Sequence, residues 1–147
     1  MTSEYGAPPD AVWSLWADPR RLERWWGPPT YPATFVEHDL RTGGAATYYM
    51  TGPDGERYGG WWKFVEVDAP RSIVLEDGFA DAEGVPNPDL PVTTTRVDVS
   101  PRDGGGTTMR IVSTFPSDDA MQQLIEMGMD EGLSEALGQI DALLAEV

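Results

Sequence analysis

The chain contains no cysteine, which excludes disulfides, thiolate nucleophiles and cysteine-bound zinc. It contains one histidine, His38, so a His-rich metal site is excluded as well. Positive charge is scarce. Ten Lys and Arg stand against 25 Asp and Glu, leaving a net charge of −15 at pH 7. Phosphate backbones are held by Lys and Arg, so direct nucleic-acid binding is not expected, and an anionic membrane surface would repel the chain. No apolar run reaches the roughly 18 residues that a membrane span needs. The opening Met1-Thr2-Ser3-Glu4-Tyr5-Gly6 lacks a basic n-region and an apolar h-region. No secretory signal is read there, and a cytoplasmic protein is expected.

Apolar and aromatic residues are plentiful. Of 147 residues, 40% are hydrophobic, and there are six Trp, five Tyr and four Phe. That suffices for one domain, residues 1–147, with its own core. Gly (16) and Pro (13) together make about a fifth of the chain, which implies many turns and argues against a simple helical bundle.

Two short helices are predicted over residues 8–26. Pro8-Pro9-Asp10 suits a helix start, and Val12, Trp13, Leu15 and Trp16 form an apolar face. Asp18-Pro19 ends the first helix and caps the second, which Gly27-Pro28-Pro29 stops. Strands are predicted over 33–39, 45–50, 58–67, 72–77, 93–99 and 107–115, separated by Gly- and Asp-rich turns that fit an antiparallel meander. The connection from Gly78 to Pro91 is long, with Asp81, Glu83, Asp89 and three prolines. It reads either as a lid or as a solvated excursion.

Ser117-Asp118-Asp119 opens the last segment as an N-cap with two first-turn acids. A 3.6-period stripe follows, from Met121, Leu124 and Ile125 to Leu143 and Leu144. It predicts one helix over 118–146, roughly 40 Å long at about 1.5 Å per residue. The expected class is α+β: a curved sheet of six or seven antiparallel strands wrapped around that helix, with two short helices closing one end. A bent sheet and a single rod do not fill the space between them, so a cavity is expected.

Ala7-Pro8-Pro9-Asp10-Ala11-Val12-Trp13, Trp16-Ala17-Asp18-Pro19 and Trp25-Trp26-Gly27-Pro28 resemble the start of an activator-of-Hsp90-ATPase-homologue-like domain. The resemblance continues through Asp39-Leu40-Arg41-Thr42-Gly43-Gly44, Gly59-Gly60, Glu66-Val67-Asp68-Ala69-Pro70, Gly105-Gly106-Thr107 and Gly128-Met129-Asp130-Glu131-Gly132. Such domains belong to the START-like, or Bet v 1-like, ligand-binding superfamily. The resemblance implies a helix-grip fold, with two small helices between strands one and two. It also implies three kinds of role. One is the binding of a small apolar or aromatic molecule. Another is a protein-interaction role, either as an Hsp90-type ATPase activator or as the toxin half of a toxin–antitoxin pair with an ArsR-type regulator. The weakest is an enzyme, a cyclase or hydrolase, using the same cavity.

No nucleophile–base pair and no calcium-loop spacing is visible, so no catalytic residue, metal or cofactor is expected. His38 reads as a structural or surface residue. Trp13 and Trp16 read as core. Strand alternation places Trp62 and Phe64 inward and leaves Trp61 outward beside Val65 and Tyr49, an apolar patch. The predicted cavity lining from the first half of the chain is Trp25, Trp26, Tyr48, Trp62, Phe64, Leu75 and Phe79. From the second half it is Met109, Ile111, Met121, Ile125, Gly128, Met129, Gly132 and Leu133. Met50 and Met127 belong with the other methionines as adaptable lining, though not all can face inward. Tyr48, Ser113 and Asp77 are the polar wall groups expected to orient a ligand. After Arg110 there is no Lys or Arg, while Asp118, Asp119, Glu126, Asp130, Glu131, Glu135, Asp141 and Glu146 follow. That acidic face offers a docking surface for a basic regulator protein. The outward aromatics and a short first strand allow a homodimer.

Overall fold

The computed structural model describes residues 1–81 and 83–145. Its strands are β1 (Thr2–Tyr5), β2 (Ala33–His38), β3 (Ala45–Thr51), β4 (Arg57–Asp68), β5 (Ser72–Ala80), β6 (Thr93–Pro101) and β7 (Thr107–Thr114). They form one seven-stranded curved sheet in the order β1-β7-β6-β5-β4-β3-β2. Every pairing is antiparallel. From β2 onward each strand pairs with its successor, through short turns except for the longer excursion between β5 and β6. The first strand instead closes onto the last. Helices α1 (Pro9–Ala17) and α2 (Pro19–Leu22) then carry the chain from one sheet edge to the other. Register shifts between Phe35 and Glu37 and between Phe64 and Glu66 mark bulges that bend the wall.

Local chemistry explains the helix ends. Pro9 sits in the first turn of α1, and the Asp18 side chain accepts the Arg20 amide proton at the start of α2. The Ser117 hydroxyl accepts the Ala120 amide proton in the same way. The core is aromatic. Trp16, Trp25, Trp62 and Phe64 are each 2% exposed or less, and Trp62 and Phe64 face inward as alternation predicts.

The expected single rod is three helices: α3 (Asp118–Glu126), α4 (Met129–Leu137) and α5 (Ile140–Ala145). The first break falls at Gly128, whose φ of 88° is a left-handed conformation that interrupts a right-handed helix. The second follows Gly138, at the end of α4. There the Gln139 side chain donates to the carbonyls of Trp25 (3.3 Å) and Gly27 (2.8 Å), tying the helices to the loop after α2. Glu146, the last acid counted on this segment, lies outside the described residues.

β5 runs to Ala80, three residues past the predicted end at Asp77. The excursion beyond it is tied to itself. The Asp81 carboxylate accepts the amide protons of Glu83 and Val85, and the Asn87 amide donates back to the Phe79 carbonyl.

Candidate ligand cavity

A cavity of about 280 Å³ lies between the inner sheet face and the C-terminal helices. Its floor comes from alternate strand positions: Tyr48 and Met50 of β3, Leu75, Asp77 and Phe79 of β5, Thr93 and Thr95 of β6, and Ile111 and Ser113 of β7. Trp16 of α1 closes one end with Trp26, Gly27, Pro28 and Tyr31 of the loop after α2. The cover is Leu124 of α3, Met127 and Gly128 at the break, and Met129, Gly132, Leu133 and Ala136 of α4. Met127 is 53% exposed and marks the rim.

The wall is apolar except for one cluster around Asp77. On β5, Ile73, Leu75, Asp77 and Phe79 point to the same face, so alternation itself turns the carboxyl inward. Asp77 pairs across the sheet with Trp62 on one side and Thr93 on the other. Tyr48 sits two strands away, yet its hydroxyl reaches the Asp77 carboxyl at 3.5 Å. It does so across Gly60: a Cβ there would fall inside the Tyr48 ring, so only glycine lets the ring lie over β4. Phe35 stacks on the far side of that ring at 5.0 Å.

Burial sets the protonation of this cluster. It raises the Asp77 carboxyl against the lowering pull of the Tyr48 hydroxyl and the Trp62 indole, and the net shift is from 3.8 to about 7. Burial, and then the Asp77 charge, hold the Tyr48 phenol well above its usual 10. The surface Asp77 keeps is cavity wall, and its carboxyl is screened from bulk water. The Trp26 and Trp62 indole N–H groups are buried and, among the described residues, have no partner at hydrogen-bonding geometry. Their pull on Tyr48 and Asp77 is therefore the longer-range one of a dipole near an acceptor.

The structure brings nine of the fifteen predicted lining residues to the cavity: Trp26, Tyr48, Leu75, Phe79, Ile111, Gly128, Met129, Gly132 and Leu133. The other six lie elsewhere. Trp62 is sealed from the cavity by Trp26 (ring centroids 4.8 Å apart) and Trp16 (6.0 Å), and Phe64 lies beyond it. Trp25 is buried beneath Trp16, with its indole N–H on the Leu15 carbonyl. Met109 accepts the Trp16 indole N–H on its sulfur under α1. Met121 (38% exposed) and Ile125 (45%) face outward, because the break at Gly128 frees α3 from the α4 stripe and buries Ala120 and Leu124 instead. Ile125 borders a second hollow, with Met1 and Phe115.

Of the methionines, Met50, Met127 and Met129 line the cavity, and Met109 and Met121 do not. The residues missed from sequence are Trp16, Gly27, Pro28, Tyr31, Thr93, Thr95, Leu124 and Ala136. Strand parity could have found the threonines, since Thr93 and Thr95 share a face with Val97 and Val99. Nothing local marks the loop residues. Of the connection expected from Gly78 to Pro91, the described residues bring only Phe79 to the cavity, and it belongs to β5; the excursion beyond Ala80 lines none of it and is not a lid in this structure.

His38 stands apart from the cavity. Its Nε2 donates to the Trp16 carbonyl at 2.9 Å, and burial keeps its pKa below the ordinary 6.5. A neutral ring pinned to a carbonyl is a structural tie. Trp61 is half-buried because its ring lies over Gly78. Arg57 covers Tyr49 at 4.3 Å, so the outer patch is smaller than alternation implied, although Val65 remains 45% exposed.

The family model described as Activator of Hsp90 ATPase homolog 1-like protein matches residues 6–145. The chain belongs to this family. A solution structure of an Arthrobacter aurescens protein is 51% identical to it, covering 99% of this chain and 84% of that one with a TM-score of 0.94. A crystal structure of a Mycobacterium smegmatis protein is 52% identical, covering 97% and 87%, with a TM-score of 0.89. A Staphylococcus epidermidis protein is 28% identical over 99% and 88%, with a TM-score of 0.86. No curated protein matches the chain. The Activator of Hsp90 ATPase homolog 1-like family has the helix-grip fold, and its membership supports a ligand-binding or interaction role in general. No described helix is long and apolar enough to cross a membrane.

Proposed function

We propose that the protein binds a small apolar molecule between the inner sheet face and α4. The observation that carries this reading is the cavity of about 280 Å³, apolar on nearly every side and holding one compact polar cluster. Such a space forgoes dispersion contacts that a fully packed core would make. Gly132 contributes to that space. A Cβ there meets only the Pro28 ring, at 3.7 Å, so a side chain would fit without a clash and would occupy the hollow.

Gly132 therefore supplies the test. An uncharged apolar fluorophore such as phenylnaphthylamine should brighten on addition of the protein. The Gly132→Phe variant, still folded by circular dichroism, should lose at least about tenfold in affinity, since its ring competes for the same volume. Equal brightening with both proteins would place the fluorophore elsewhere and end this reading.

A second reading is docking of a basic protein on the outer face of α3 to α5. It is supported by the absence of any Lys or Arg after Arg110. A partner held that way should be released by salt. Co-purification that survives high salt would argue against it.

A further inference from the structure

We propose that the preferred ligand is an organic ammonium: an apolar body carrying one protonated amine set against Asp77. This rests on reading the cavity as a ligand site and adds the ligand's charge to it.

Asp77 is the only acidic side chain among the described residues of the cavity wall, and no Lys, Arg or His joins it there. Among the described residues no cation lies within ion-pair distance of it. An anionic ligand would therefore enter a desolvated space that offers a like charge and no counter-charge. A neutral ligand would leave the carboxyl as it is.

A cation completes the set. One donor is already in place for a carboxylate, the Tyr48 hydroxyl at 3.5 Å, and Trp62 pairs with Asp77 on the next strand, its indole N–H acting as a dipole nearby without a formed hydrogen bond. What opposes ionisation is burial without a counter-charge, and an ammonium supplies one. Tyr48 beside Asp77 and Trp26, whose ring lies 6.2 Å from that of Tyr48, line the same wall and add aromatic surface for a cation.

The approach is acidic as well. α4 covers the cavity and carries Asp130 and Glu131 in its first turn, directly after the lining residues Gly128 and Met129. With a net charge of −15, the whole chain draws cations toward itself. One feature points the other way: the α4 N-terminus reaches the wall through Gly128 and Met129, and a helix start favours anions. Asp130 and Glu131 already answer that partial charge.

Next to Asp77 stand Tyr48 from β3, Trp62 from β4 and Thr93 from β6; Thr95 from β6, Ser113 from β7, and Trp26 and Tyr31 from the loop after α2 line the same cavity. Met129, Gly132 and Leu133 face the same space from α4. Among these, burial and the Asp77 charge hold the Tyr48 phenol well above its usual 10, so it keeps its proton near neutrality. Any pH dependence of binding near neutrality therefore belongs to Asp77.

Three probes of one shape decide the matter: phenylbutylamine, phenylbutanol and phenylbutyrate. Binding is read from tryptophan fluorescence, because Trp16 and Trp26 line the cavity. Salt at about 0.5 M shortens the screening length to roughly 4 Å and suppresses loose association with the acidic surface. At pH about 8 the amine should bind about tenfold tighter than the alcohol, and the carboxylate weakest. The amine's advantage should shrink below the Asp77 midpoint of about 7, while alcohol binding stays level. The wild-type pH profile needs no variant. In Asp77→Asn the amine should fall to the level of the alcohol.

If the alcohol matches the amine at pH about 8, or the carboxylate binds best, the ammonium proposal is overturned and the apolar cavity stands. If the amine keeps its advantage in Asp77→Asn, another group selects the cation and the proposal is likewise overturned. If none of the three binds, the ligand-site reading falls with it.

Discussion

One carboxyl on an otherwise apolar strand face sets the chemistry of this molecule. Asp77 follows Ile73 and Leu75 and precedes Phe79 at alternate positions of β5. Folding carries it from water, where it titrates near 3.8, to a site where its midpoint is about 7. The folded state thus holds the proton more tightly than the unfolded chain. Stability from this group is present below about pH 4 and is lost as pH rises toward 7. An asparagine keeps the shape and never ionises. Asp77→Asn should therefore melt at a higher temperature than the wild type at pH about 8, and the two should converge near pH about 4. Thermal melts across that range check it. A variant less stable at pH about 8 would show that the Tyr48 and Trp62 donors outweigh burial and that the carboxylate is structural. The sequence alone ranked Asp77 with Ser113 as a polar wall group. Its raised midpoint was not legible, because it depends on Gly60 clearing the Tyr48 ring and on Trp26 and Trp16 sealing the floor beside it.

At the scale of elements, strands and caps were legible because their causes are local. Asp18 and Ser117 cap the helices assigned to them, and Gly-rich turns mark the strand ends. The C-terminal helices were not, because periodicity cannot distinguish a glycine inside a helix from one that breaks it. Gly128 and Gly132 lie four apart on one apparent stripe, yet only Gly128 has a positive φ, 88°. That one dihedral moves Met121 and Ile125 out to solvent and brings Leu124 and Met127 to the cavity. The two glycines should respond to alanine with opposite signs. Gly128→Ala forces an L-residue into the left-handed region and should cost about 1–2 kcal/mol. Gly132→Ala stays helical, meets nothing closer than Pro28 at 3.7 Å, and should gain up to about 1 kcal/mol. Denaturant unfolding of both variants measures the pair. Matching losses would mean that close packing, rather than backbone conformation, selects glycine at both positions.

For the whole molecule, the balance lies between attraction in a few ion pairs and repulsion among many acids. The pairs Arg41–Asp39, Arg71–Asp68 and Arg96–Asp98 join partly exposed side chains, each pair within a few residues of sequence. Surface pairs of that kind are worth about 0–1 kcal/mol each. Against them stands a net charge of −15, with the C-terminal helices acidic along their outer face. Raising salt from about 0.01 M to about 0.15 M shortens the screening length from about 30 Å to about 8 Å. Close contacts survive that change, while longer-range repulsion is suppressed. The melting temperature should therefore rise over this range, most at pH about 8 where the acids are ionised, and little near pH about 4. A fall instead would mean that the local pairs outweigh the net charge. The same field acts on anything that approaches the rim at Met127. A molecule that destabilises itself by excess acid gains most from a cationic ligand, so saturating phenylbutylamine should raise the melting temperature more at about 0.01 M salt than at about 0.15 M.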